Sequence, residues 1–215
     1  MTLGLAGLVW YGTFRLGVAT GTQHDLERFA ASRDNSAVSG DHPTAPRAFS
    51  PSTGTPDQSL WSAIRVSAWH KAVGEPSAPP VAVLRIPKIR LEVPVLPGTD
   101  DRTLDRALGL IEDTAALGTD GNSGIAGHRD GFFRGLKDIA VGDTIELDTR
   151  ERSDVYRVER TWIVGPDDVS VLDPTSTPAL TLVTCYPFYF VGSAPERFIV
   201  RAVRIGDRPV LAAVH

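Results

Sequence analysis

The order of apolar and polar positions divides the chain into unlike stretches. From Met1 to Ala19 it is almost continuously apolar, with Leu3, Leu5, Leu8, Val9, Trp10 and Phe14 and a single charge, Arg15. A bilayer-spanning helix needs about 20 apolar residues, so residues 1–20 are expected to form an N-terminal apolar helix acting as a membrane anchor. A signal peptide and a buried helix of a soluble protein are the other readings of that run. Residues 21–56 are expected to be a disordered tether. From Ala30 to Pro56, Ser, Thr, Pro, Ala, Gly and Asp dominate, and Val38 and Phe49 are the sizeable apolar side chains. So little burial does not offset the entropy of ordering. Residues 57–80 are expected to hold a helix and a linker. Asp57 or Ser59 can cap the helix, Leu60, Ile64 and Ala68 recur at helical spacing, and the pattern runs to Lys71.

From Val81 the period changes from helical to two. Strands are expected near 81–86, 91–96, 123–126, 143–148, 154–164, 179–185 and 197–205, separated by Pro, Gly and Asp. Tyr156, Val158, Trp162 and Val164 show the alternation that turns one strand face inward. Pro87, Pro94 and Pro97 confine the early strands to edges or ends, and 101–108 reads as a short helix. Many short strands at close spacing predict a mainly β fold over 81–207, an antiparallel barrel or sandwich of seven or eight strands. Residues 208–215 are left as a C-terminal tail.

Composition narrows the function. The 215 residues carry a net charge of −4, which argues against sequence-independent binding to nucleic acid, where a basic footprint is required. The single cysteine, Cys185, excludes an intramolecular disulfide and a cysteine-rich zinc site. Phosphate-binding glycine loops and zinc-protease motifs are absent.

Three places in the β region can carry chemistry. His128 follows an expected strand in Gly127-His128-Arg129-Asp130, where a side chain at a strand end can face a cleft. Cys185 closes the apolar run Thr181-Leu182-Val183-Thr184 before Tyr186-Pro187. A lone cysteine at such a place is either a core side chain or a nucleophile, and reactivity needs a partner that favours the thiolate, such as an imidazolium. Arg197, in Pro195-Glu196-Arg197-Phe198, opens the last strand and can hold a developing oxyanion; a strand arginine paired with a carboxylate is the bland alternative. Arg201 would share its face, and spacing alone does not choose between them. The run Phe188, Tyr189, Phe190 and Val191 either lines a peptide groove or plugs the barrel.

Together these segments resemble the sortase family. Asn122-Ser123-Gly124-Ile125-Ala126-Gly127-His128-Arg129, Leu180-Thr181-Leu182-Val183-Thr184-Cys185 and Arg197-Phe198-Ile199-Val200 are similar to its three signature regions, and the opening Leu84-Arg85-Ile86-Pro87 also fits. The Thr-Cys-Tyr-Pro-Phe continuation and the compact connection after Cys185 look most like class D. The resemblance implies an eight-stranded sortase-type β-barrel with short helices. It implies Cys185 as nucleophile, His128 as general acid and base, and Arg197 as oxyanion or substrate holder, with Thr184, Phe188 and Phe190 binding substrate. Such an enzyme cleaves an LPXT-type sorting signal through a thioacyl-enzyme and passes the acyl group to an amine of a peptidoglycan precursor or a protein lysine. No metal or other cofactor is required, and the expected location is the bacterial cell membrane with the catalytic domain outside the cytoplasm. A hydrolytic cysteine peptidase and a non-catalytic, envelope-tethered peptide-binding barrel are the rival readings.

Overall fold

The computed structural model describes residues 20–37, 56–190 and 192–207. The expected anchor (1–19) and tail (208–215) lie outside these residues. Among the described residues no helix is long and apolar enough to cross a membrane.

The architecture is a closed barrel carrying two N-terminal helices. The chain runs through α1 (Thr20–Ala37), α2 (Ala63–Val73), β1 (Ala82–Ile86), β2 (Leu91–Pro97), α3 (Asp101–Arg106), β3 (Leu108–Leu110), β4 (Asn122–Ala126), β5 (Thr144–Thr149), β6 (Ser153–Val164), β7 (Ala179–Tyr186) and β8 (Glu196–Asp207). Strand order around the barrel is β1-β2-β3-β4-β7-β8-β6-β5. Pairing is antiparallel except for β2 with β3 and β4 with β7. Closure leaves no open sheet edge. Leu84, Ile86, Val93, Val95, Leu147, Tyr156, Leu180, Leu182 and Val200 fill the interior as the inward half of each alternating strand.

Eight strands form where seven runs were legible. The extra one, β3, is three residues long, too short for any alternation to register. Gly109 is required in it, because a Cβ there would lie 2.3 Å from the Gly98 carbonyl oxygen.

The largest correction concerns residues 21–56. The first part of this expected tether is the helix α1, docked on the barrel by Leu26 and Phe29, which bury against Val83. Burying two such side chains contributes roughly 2–3 kcal/mol each. Asp25 adds an ion pair to Arg106 at the end of α3, Oδ2 to Nη2 2.7 Å, with both side chains buried. Arg106 also donates from Nη1 to the carbonyls of Ala72 (3.0 Å) and Glu75 (2.8 Å), closing the C-terminal end of α2. One guanidinium thus ties α1, α2 and α3 together.

Helix α2 begins later than its apolar spacing suggests. Asp57 accepts from the Ser59 backbone N–H at 3.0 Å, an Asx turn that competes with helix. Trp61 then packs edge-on against Phe132 at 4.8 Å. The helix starts after Ser62, whose hydroxyl caps the Arg65 N–H at 3.1 Å. Trp69 is fully buried against the barrel.

Candidate active site

Register brings the three sequence-singled residues to one rim. In β7 the side chains of Leu180 and Leu182 point into the core, so Thr181, Val183 and Cys185 face outward. Cys185 is directly opposite Arg197 on β8, and Arg197 is opposite Val164 on β6. On the other side of β7 the parallel pairing with β4 ends at Ala126 opposite Val183. Contact continues one residue further: the Gly127 N–H donates to the Val183 carbonyl (3.2 Å), and the Thr184 hydroxyl donates to the Gly127 carbonyl (2.7 Å). The chain therefore delivers His128 beside the end of β7. Gly127 has no space for a side chain, since a Cβ would sit 2.6 Å from Leu108 Cδ2 and 2.7 Å from Phe133 Cδ2.

Cys185 is half-buried and unpaired with any other cysteine. Arg197 Nη1 donates to the carbonyls of Glu196 (3.0 Å) and Ala194 (3.3 Å). Among the described residues it forms no carboxylate ion pair, so its charge is held by backbone dipoles instead of being neutralised.

His128 sits in a charged nest. Its Nε2 is 3.6 Å from Asp105 Oδ1, and no hydrogen bond reaches it. Arg65 of α2 pairs with both flanking carboxylates, Asp105 of α3 and, at 3.2 Å, Asp130. The Ser62 hydroxyl donates to Asp130 at 2.7 Å. Burial and then the Arg65 charge hold the imidazole below its ordinary pKa of 6.5, while Asp105, Asp130 and Asp101 oppose them in part.

The barrel, the outward cysteine at a strand end and the histidine loop beside it form one arrangement, and residues 84–205 match the family model for the sortase domain. The chain belongs to the sortase family. It is 36% identical over 124 residues to Sortase D of Bacillus subtilis (strain 168), a match covering 57% of this chain and 63% of that protein. Sortase A of Bacillus anthracis is 26% identical over 129 residues, 58% of this chain and 60% of that protein. The matches thus span less than two thirds of these relatives' own lengths. A Clostridium perfringens Sortase D5 transpeptidase shares the fold, with a TM-score of 0.62 at 24% identity over 87% of this chain and 100% of that one.

Two of the expected substrate contacts of this sortase are buried. Thr184 is 2% exposed and its hydroxyl is committed to Gly127, so it shapes the histidine loop from inside and presents no surface to a peptide. Phe188 is 7% exposed and packs edge-on against Tyr186 (5.8 Å) and Phe198 (5.2 Å), closing the barrel end. Phe190 differs: it is 45% exposed beside the rim, with Arg129 stacked 5.7 Å from its ring centre. Sequence reasoning missed the side chains that hold the rim. Arg129 donates to the carbonyls of Phe190 (2.9 Å) and Gly192 (2.8 Å), and Arg134 donates to those of Leu60 (3.1 Å) and Phe188. Arg129 and Asp130 adjoin His128 in the chain and were findable by proximity. Nothing in the sequence marks Arg65.

Proposed function

We propose that this sortase-family protein is a cysteine transpeptidase acting on an LPXT-type sorting signal. The observation that carries the reading is the alignment of Cys185 with Arg197 across β7 and β8, at the level to which β4 delivers His128. Cys185 Sγ attacks the carbonyl carbon of the Thr itself. The oxyanion develops beside the Arg197 guanidinium, where a fixed positive charge lowers the barrier. Collapse breaks the C–N bond, and His128 gives its proton to the leaving amine. A thioacyl-enzyme remains. An incoming amine attacks it, His128 takes that amine's proton, and the thiolate departs with a new amide formed. Thiolate and imidazolium must coexist at the start, so the lowered basicity of His128 makes the competent form scarcer but a stronger acid.

The acceptor is an amine of a peptidoglycan precursor or a protein lysine. The working location is the bacterial envelope, reached through the N-terminal apolar segment. Product analysis tests the reading: an LPXT peptide incubated with and without a triglycine amine should yield the Thr–amine conjugate in the first case. Cleavage to the free acid alone, even with excess amine, would assign the protein to hydrolysis instead. Absence of cleavage would favour the peptide-binding barrel.

A further inference from the structure

Three rows of outward side chains cross β6, β8 and β7. The first is Val164, Arg197 and Cys185; the next is Trp162, Ile199 and Val183; the third is Arg160, Arg201 and Thr181. Four residues along a strand separate the first row from the third, about 13 Å.

The third row carries an unbalanced charge. Arg160 and Arg201 are direct cross-strand partners, a position where like charges repel. Both guanidiniums lie over the Trp162 ring, at 4.7 and 5.9 Å from its centre. Among the described residues neither forms an ion pair with a carboxylate. Arg201 is fixed in place: Nε donates to Thr181 Oγ1 (2.8 Å) and Nη2 to the Val171 carbonyl (2.7 Å). Burial disfavours its charge, Glu159 opposes that and Arg160 adds to it, for a net downward shift in pKa.

Arg160, Trp162 and Arg201 line an open groove of about 540 Å³ together with Glu159, Ser170 and Val171. The β6 register slips between Val158 and Arg160, leaving Glu159 as an extra residue. Such bulges re-aim side chains, and here both Glu159 and Arg160 line the same cavity. Two arginines and one glutamate leave a net single positive charge, matched by one carboxylate and not by a dianion. The guanidinium fork suits a carboxylate, and an indole wall suits the methylene stem that carries it.

We propose that this groove takes an acidic side chain of the substrate peptide, about four residues from the reacting carbonyl. An extended peptide lying along the strands rises about 3.3 Å per residue, so that spacing matches the separation of the two rows. The inference rests on the reading of Cys185 as nucleophile.

The test uses LPXT-core peptides with Glu, Gln or Lys at each of the first three positions before the Leu and the first five after the Thr. At one position Glu should exceed Gln by about five- to tenfold in kcat/KM, mostly through KM. Arg160→Gln should erase the difference between those two peptides, and Arg160→Glu should shift the preference to Lys. Arg160 is exposed, and thermal melts confirm that each variant is folded. Equal rates for Glu and Gln at every position would overturn the groove's role and leave the Cys185 reading standing. Should no peptide be cleaved, the Cys185 reading fails, and fluorescence anisotropy decides the groove. Tighter binding of a Glu peptide that Arg160→Gln abolishes supports it, and equal binding of Glu and Gln peptides overturns it.

Discussion

His128 Nε2 stands 3.6 Å from Asp105 Oδ1, too far for a hydrogen bond and close enough for charge to matter. Arg65 intervenes by pairing with Asp105 and with Asp130, so the two carboxylates nearest the imidazole are largely neutralised. Burial then dominates, and the pKa falls below 6.5. Titration of the His128 ring signals by NMR should give a value under 6.5. Arg65→Gln should raise it, because a cation is removed and two carboxylates are released toward the ring. Asp105→Asn should lower it, because a group favouring the imidazolium is lost. A wild-type value at or above 6.5, or an Arg65→Gln shift downward, contradicts this balance. The acid limb of a pH–acylation profile should move in the same direction as the NMR value in each variant.

Arg106 holds three helices by one side chain. Arg106→Ala leaves the buried Asp25 with only the looser Arg28 ion pair at 3.9 Å, or forces α1 off the barrel. Loss of a buried ion-pair partner costs about 3–5 kcal/mol. Urea unfolding should show a loss of that order, and limited proteolysis should cut within 20–37 in the variant first. A change under about 0.5 kcal/mol, the range of an ordinary surface site, contradicts the assignment.

Phe188 and Phe190 are two residues apart and should behave oppositely. Phe188→Ala opens a cavity among Tyr186 and Phe198 and should cost about 3–5 kcal/mol of stability. Phe190→Ala removes a half-exposed ring and should stay within about 0.5 kcal/mol. Thermal and urea unfolding of the pair check this; equal effects contradict the burial argument.

Thr184→Val keeps the shape of the side chain and removes the hydroxyl that the Gly127 carbonyl accepts from. A buried carbonyl left unpaired costs about 1–3 kcal/mol. Because Gly127 precedes His128, the variant should also cleave its peptide more slowly at saturation. Unchanged stability and unchanged kcat together would remove Thr184 from the support of the histidine loop.

The barrel was legible where short apolar runs were bounded by Pro, Gly and Asp. Alternation announced β6, but only Tyr156 and Val158 of its expected inward face reach the core; the register slip at Glu159 turns Trp162 and Val164 outward. The apolar run before Cys185 announced β7. What stayed hidden was set by partners far along the chain. The α1 segment looks too polar to order, and its docking depends on Arg106, 81 residues away. Strand β3 is legible only as a parallel neighbour of β2. At the candidate site, His128, Cys185 and Arg197 were visible because their chemistry is distinctive and their order matched a family. Arg65 was not, because a helix arginine acquires meaning only when α2 packs beside the histidine loop. Thr184 is buried because it neighbours the outward Cys185 on β7 and so points inward, whereas Phe188 lies beyond the strand and its burial, set by Tyr186 and Phe198, has no local signal.

The central claim is a covalent bond between Cys185 and substrate. Intact-mass spectrometry of the protein mixed with an LPXT peptide, quenched in acid, reads it directly. The account predicts a mass increase equal to the fragment ending in Thr, mapped to Cys185, absent from Cys185→Ala and discharged by added amine. No adduct under conditions where the peptide is cleaved, or an adduct that persists in Cys185→Ala, would contradict it.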